Sequence, residues 1–214
     1  MQPPQAALTA IDALCGLDGD LAAIEKAAGP LPWRTRASGF AGLLQAIVGQ
    51  QISNRAAAAI WRRVAALPGG LEPAALLALD DDTLRAAGLS RPKVAHARSL
   101  AAAFASGQLS RESIAALPDE EAIAHIAAVR GMGRWSAEVY LLFAEQRPDI
   151  FPAADIALAG AAAALKGLDA RPGEREFRRL AESWSPYRSL AARLLWHHWR
   201  HLTGRPAMDD LPPT

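Results

Sequence analysis

The chain has 214 residues, with 23 Lys and Arg against 22 Asp and Glu, 51% hydrophobic residues and one cysteine. That length can bury one substantial core or two small lobes without a disulfide or structural metal, and the formal charge of +1 excludes a polycationic tail as the main means of binding while allowing a basic face. Cys15 alone excludes an intrachain disulfide and the several thiolates that cysteine-ligated zinc or an iron–sulfur cluster requires.

In chain order, alanine- and leucine-rich stretches with few β-branched runs alternate with Gly or Pro, which predicts an all-α bundle of short helices. The expected helices lie near 5–15, 18–28, 38–48, 53–67, 73–79, 81–87, 91–106, 110–117, 119–129, 134–146, 155–166, 173–184 and 186–203. Pro68-Gly69-Gly70 ends one of them, and Gly88, Gly107, Gly167 and Gly204 each stand where a C′ glycine would close a helix. Ser53, Ser110, Asp119 and Asp155 are expected N-caps, because their side-chain oxygens can accept first-turn amides. The first residues lack the basic segment and apolar core of a signal peptide, and no apolar run approaches the roughly 20 residues that span a bilayer. Cytoplasm is the expected location.

Two Pro-interrupted segments, 28–37 (AGPLPWRTRA) and 147–154 (RPDIFPAA), flank a continuous helical middle. They predict a discontinuous lobe of residues 1–37 and 148–214 and a central lobe of residues 38–147, with a cleft where the two crossings meet. No internal repeat or low-complexity tail stands out.

The sharpest local pattern is Val129-Arg130-Gly131-Met132-Gly133-Arg134-Trp135-Ser136-Ala137, between an amphipathic helix and an apolar one. Two glycines one residue apart can form a turn whose amides point outward at the next helix start, a site for a DNA phosphate; a simple Schellman-type turn explains the same spacing. Carbonyls on the other side of such a hairpin could hold a monovalent cation. Downstream, Asp155 in Phe151-Pro152-Ala153-Ala154-Asp155 can be an ordinary N-cap, or an ionised carboxylate that stabilises positive charge or orients water.

These residues resemble the helix-hairpin-helix DNA glycosylase superfamily, specifically DNA-3-methyladenine glycosylase II. The matching pieces are Val129–Phe143, Phe151–Leu158, Leu44–Ser53, Gly88–Lys93 and Trp184–Ala192, in order between about residues 38 and 203. The resemblance implies a two-lobed all-α enzyme that flips a damaged purine out of duplex DNA and hydrolyses its N-glycosidic bond. The compact length resembles family members without the extra N-terminal β-domain of some relatives, and the protein is expected to be nucleoid-associated and a monomer.

By that resemblance Asp155 is the catalytic aspartate, and Gly131, Gly133 and the start of the next helix, Arg134 and Trp135, form the phosphate-gripping hairpin; as basic residues, Arg134, Lys93 and Arg188 are also expected phosphate contacts, a less specific reading. The carbonyls of Ala127, Val129 and Met132 match positions that hold a hairpin Na+ or K+; no cofactor is required and no iron–sulfur cluster is expected. Gln51 matches the residue that fills the vacated base stack, with Gln50 its neighbour, although a helix-start residue bonding its own backbone is the ordinary role of such an amide. Trp135 and Trp196 are the aromatics expected to stack on a cationic purine; Trp196 within Leu194–Trp199 also reads as a core residue, and Tyr140 as a packing residue. Val139 departs from the pattern, since some relatives carry a pocket tyrosine there.

Bifunctional relatives carry a lysine where this chain has Trp135, and an indole cannot form a Schiff base, which implies hydrolysis without strand cleavage. Lys166 and Lys93 do not occupy the matching position. Residues 171–205 hold eight arginines and three acidic residues; Arg178, Arg179 and Arg200 are expected on solvated helix faces. His197 and His201, four apart, lack the further oriented ligands a zinc site needs, and Asp209 and Asp210 are expected in an exposed tail. The alternatives are a related glycosylase for uracil, hypoxanthine or an oxidised purine, a non-catalytic damaged-DNA binding protein, and a plain helical bundle. A carboxylate near a phosphate path has no use in simple DNA binding, which favours the enzyme.

Overall fold

The computed structural model of the chain describes residues 2–204. Asp209, Asp210 and the part of the expected C-terminal lobe beyond residue 204 lie outside the described residues. Thirteen α-helices and one short 3-10 helix make up the regular structure among them: α1 Gln5–Leu17, α2 Gly19–Ala28, α3 Gly39–Gly49, α4 Asn54–Ala65, α5 Pro73–Ala78, α6 Asp81–Ala86, α7 Arg91–Ala105, α8 Arg111–Ala116, α9 Asp119–Ala127, α10 Arg134–Phe143, α11 Ile156–Lys166, α12 Glu174–Leu180 and α13 Arg188–Thr203. No helix among the described residues is long and apolar enough to cross a membrane.

Most helix ends follow the expected punctuation. Ser53 accepts the Ala56 amide, Ser110 and Ser113 form a reciprocal capping box, and Gly167 and Gly204 close their helices in the left-handed conformation. Four departures have a visible cause. Pro118, not Asp119, stands at the N-cap of α9, and Asp119 is its first residue, where a carboxylate favours the positive end of the helix. The stretch expected at 173–184 divides, because the backbone tightens into a 3-10 helix over Ala181–Trp184. Helix α10 stops at Phe143 instead of 146; the Tyr140 carbonyl takes the amides of both Ala144 and Glu145, and Gln146 turns to φ +53°. Helix α13 starts at Arg188 rather than 186, and its first amide is accepted from outside the helix by Asp149 Oδ1 at 3.1 Å.

The chain divides into two compact units, one running through Thr35 and resuming at Gln146, the other Arg36–Glu145. Each change of unit falls two residues before the expected boundary.

The Arg36–Glu145 unit is built on α3, whose Phe40, Leu43, Leu44, Ile47 and Val48 are buried and which packs on α7, α4 and α10. Glycine at 42 is required there: a Cβ would collide with the Ala37 carbonyl and crowd the Tyr140 ring. Tyr140, itself buried, donates to Glu145 Oε1 at 2.6 Å and accepts the Gly39 amide at 2.7 Å, so one hydroxyl ties α10 to the start of α3. Burial and the Glu145 carboxylate push its phenol well above the ordinary tyrosine range. This agrees with a packing role for Tyr140.

The second unit is built on α13, which packs against α11, α2 and α1. Gly160 lets α11 approach, since a Cβ there would press on the Trp199 ring. Phe151, Phe177 and Trp184 form edge-to-face contacts, and Trp184 Nε1 donates to Asp18 Oδ2 at 2.7 Å. Lys166 donates to the same oxygen at 2.7 Å and to Asp20 Oδ2 at 3.1 Å.

Candidate functional site

In the Arg36–Glu145 unit, α9 and α10 pack as a hairpin joined by residues 128–133. The Met132 amide bonds to the Val129 carbonyl at 2.9 Å and both side chains are buried, so the turn is anchored from inside. The two glycines are not equivalent. Gly131 has φ +93°, and a Cβ there would strike the His96 ring, whereas Gly133 has an extended φ of −97° and open space around a would-be Cβ. Gly133 is the N-cap of α10 and offers no side chain to the first-turn amides, which makes that helix start an electropositive donor cluster suited to an anion.

Arg134 and Trp135 open α10. Arg134 Nε donates to Glu138 Oε1 at 2.9 Å and Nη2 to Glu120 Oε1 at 2.7 Å. Hydrogen bonding to Glu120 and the charge of Glu138 hold the guanidinium above its ordinary range despite partial burial. Trp135 is 37% exposed, a large indole left at the surface beside the hairpin, and Val139, one turn further, is buried.

The expected wedge lies in the α3–α4 turn. Gln51 is exposed and adopts φ +58°, a conformation few residues with a Cβ take. Gln50 points elsewhere: its Nε2 donates to the Gly131 carbonyl at 2.9 Å, tying the turn to the hairpin. In this structure the Gln50 amide is engaged inside the unit, and Gln51 is the exposed member of the pair.

Lys93 is likewise engaged inside its unit. Its ammonium donates to the Val48 carbonyl at 2.7 Å, at the C-terminal end of α3 where a cation complements the helix dipole, and burial lowers its basicity. Backbone carbonyls are the donor chemistry a hard monovalent cation takes. Val129 spends one lone pair of its carbonyl on Met132 and keeps the other.

In the other unit, Asp155 is half-buried at the start of α11 and its Oδ1 accepts the amides of Ala157 at 2.9 Å and Leu158 at 3.0 Å. The ordinary N-cap role is thus real, and it fixes the direction of the carboxylate. Buried Phe151, Pro152 and Ala153 lead into it, and the Asp155 amide bonds to the Pro152 carbonyl at 2.9 Å. Trp196 is half-buried on α13.

The arginines of the C-terminal stretch divide sharply. Arg188, expected on phosphate, is gripped by Asp149 through Nε and Nη2, both at 2.8 Å, which fixes the loop before α13. Arg193 is 6% exposed, donates to the Arg34 carbonyl at 2.8 Å and lies over the Trp33 ring at 4.4 Å. Arg200 is not on a solvated face: it is half-buried, its Nη2 donates to His197 Nδ1 at 3.0 Å, and desolvation lowers its basicity. Arg178 pairs with Glu174 at 3.0 Å, and Arg179 is exposed as expected. His197 Nε2 bonds to the Gly29 carbonyl at 2.9 Å, which assigns that nitrogen the proton. Among the described residues no group of three or more His, Cys, Asp or Glu is placed to hold a metal ion.

Sequence reasoning did not find the Gln50–Gly131 bond, the His96 ring behind Gly131 or the Arg193 anchor. Only the last had a signal, a lone charge inside the apolar run Leu190–Leu195.

Residues 44–186 match the family profile of the HhH-GPD superfamily of base excision DNA repair proteins. The chain is similar to DNA-3-methyladenine glycosylase 1 of Schizosaccharomyces pombe, with 30% identity over 158 residues that cover 72% of this chain and 69% of that protein. Among solved structures, 3-methyladenine DNA glycosylase from the same yeast in complex with abasic DNA superposes with a TM-score of 0.78 at 29% identity, covering 90% of this chain and 95% of that one. DNA-3-methyladenine glycosidase from Bacillus halodurans superposes with a TM-score of 0.81 at 28% identity, covering 91% of each.

Proposed function

The chain belongs to the HhH-GPD superfamily of base excision DNA repair proteins, and from that premise we propose that it is a monofunctional DNA glycosylase hydrolysing the N-glycosidic bond of alkylated purines in duplex DNA. The observation that carries the proposal is the Asp155 carboxylate, held in one direction by two backbone amides at the head of α11. The names of the similar yeast and bacterial proteins, 3-methyladenine glycosylases, support the substrate class.

The chemistry follows from the substrate. Alkylation at purine N3 or N7 puts positive charge on the base, so the base leaves neutral and asks little of a general acid. As the bond lengthens, positive charge grows on the sugar. An ionised Asp155 stabilises that oxocarbenium-like state and directs water to C1′, as carboxylates do in glycoside hydrolysis. Its cap bonds serve the same end, because a carboxylate that need not reorient pays no reorganisation cost during the step. Trp135 and Trp196 supply indole faces for a cationic purine, and the exposed Gln51 fills the gap left by the flipped nucleotide.

The duplex is held by the first-turn end of α10, where Gly133 leaves room for a phosphate, and by Arg134. A cation bound by the carbonyls of Ala127, Val129 and Met132 would add positive charge beside that phosphate. Trp135 stands where a Schiff-base lysine would be needed, which supports hydrolysis to an abasic site without strand cleavage.

The test is time-resolved release of free bases from methylated duplex DNA, with strand scission scored before and after alkali. Release of 3-methyladenine or 7-methylguanine with scission only after alkali is expected. Scission without alkali would overturn the monofunctional reading, and no release by folded protein would overturn the substrate class.

A further inference from the structure

We propose that Gln50 is a positioning residue that locks the Gln51 turn to the phosphate-gripping hairpin, so that insertion into the base stack and anchoring on the backbone share one frame. The inference rests on the reading of Gln51 as the residue that fills the vacated stack. Gln50 and Gly131 are 81 positions apart in the chain, yet the side-chain amide of one donates to the carbonyl of the other at 2.9 Å.

The two ends of that bond differ in stiffness. Gly131 is held by its own turn bond from Met132 to Val129 and backed by the His96 ring, so its carbonyl is a fixed acceptor. The Gln51 turn is thin by comparison. It is exposed over Gln51, Ile52 and Ser53, and Gln51 sits at φ +58°, a backbone state that persists only where its surroundings determine it. On its N-terminal side the turn is pinned by Lys93 on the Val48 carbonyl, and on its C-terminal side by the Ser53 cap of α4. Gln50 supplies the third point and ties the apex to the hairpin.

A side chain pushed into a duplex meets a restoring force from the displaced bases, and a loop without lateral support would yield to it. The Gln50 bond transmits that load to the hairpin. It also sets the spacing between the inserted residue and the gripped phosphate, a spacing that flipping a nucleotide requires to be constant. Lys93 acts in the same frame from the other side.

The experiment uses the full chain and a duplex carrying a stable abasic-site analogue beside the fluorescent base 2-aminopurine, whose emission rises when it is unstacked. Affinity for an undamaged duplex of the same sequence reads the hairpin grip separately. Gln50→Met keeps length and removes the donor. It is expected to lower the unstacking signal by roughly three- to ten-fold, the worth of one hydrogen bond, while undamaged-duplex affinity stays within about two-fold because the hairpin holds its own turn. Gln51→Ala is expected to lose the unstacking signal, and the double variant to be no worse than Gln51→Ala alone. If Gln51→Ala lowers the signal and Gln50→Met does not, or if the two losses add, the coupling is wrong. If Gln51→Ala leaves the signal intact, the reading of Gln51 fails and this inference with it.

Discussion

Arg134 Nε lies 2.9 Å from Oε1 of Glu138, a carboxylate only 1% exposed, one helical turn along α10. The pair joins a solvent-facing cation at the hairpin to an anion in the core, so the guanidinium is aimed as well as charged. Removing the cation alone takes the Arg134 partner from a buried carboxylate. Arg134→Ala is therefore expected to weaken duplex binding and also to destabilise the fold by about 2 kcal/mol, less than for a fully buried pair because the arginine is partly exposed. The double variant Arg134→Ala/Glu138→Gln should recover most of the stability and none of the affinity. Thermal melting and duplex titration separate the two effects, and recovery of affinity would show that Arg134 does not contact DNA.

The hairpin glycines should respond differently to one methyl group. Gly131→Ala has to adopt φ +93° and push into His96, and is expected to cost about 1–3 kcal/mol of stability. Gly133→Ala meets nothing and keeps an ordinary extended φ, so its melting temperature should match that of the wild type. Any loss of duplex affinity in Gly133→Ala then reports crowding of the phosphate itself. Equal destabilisation by both substitutions would contradict the structure.

Asp155 has two roles that substitution can pull apart. Asparagine caps a helix about as well as aspartate but carries no charge, so Asp155→Asn should fold normally and release methylated bases at least about 100-fold more slowly. Asp155→Ala removes cap and charge together, and should lose activity similarly while costing about 1 kcal/mol of stability. Near-normal turnover by the asparagine variant would remove Asp155 from the chemistry.

Helix placement was legible because it depends on local signals, among them capping oxygens, closing glycines and apolar periodicity, and these sit within a few residues of the ends they set. Of the boundaries that moved, one is fixed from a distance and another within its own last turn. Arg188 opens α13 because Asp149 accepts its amide, and α10 ends where the Tyr140 carbonyl is shared. The candidate site divides in the same way. Asp155 and the hairpin carry local sequence patterns, whereas the Gln50 and Lys93 contacts span 81 and 45 residues and leave no periodic trace. Charge counting could not see that Arg188 is paired with Asp149 or that Arg193 and Arg200 are turned inward, because net charge does not say where each cation points.

The unit containing α13 should show a defined acid instability. Burial alone would raise the carboxyl of Asp149, but bonds from Arg188 and Ser185 outweigh it and hold the group below the usual aspartate range; Asp18 behaves alike through Lys166 and Trp184. A folded pKa below the unfolded one contributes stability that is present above the unfolded value, about 3.9, and is lost as pH falls through the folded value. The Lys166 end of its pair has the opposite sign. Its bonds to Asp18 and Asp20 outweigh burial and raise it, so its contribution is complete below the ordinary lysine range and fades only as pH rises through the folded value. Both pairs are therefore intact at neutral pH. Asp149→Asn and Asp18→Asn should each lose about 1–2 kcal/mol there, while their melting temperatures should converge on the wild type as the pH falls through the depressed folded values, below the usual aspartate range, where the wild-type carboxylates become protonated. Melting curves that stay parallel down to strong acid would show that these carboxylates do not carry the acid dependence.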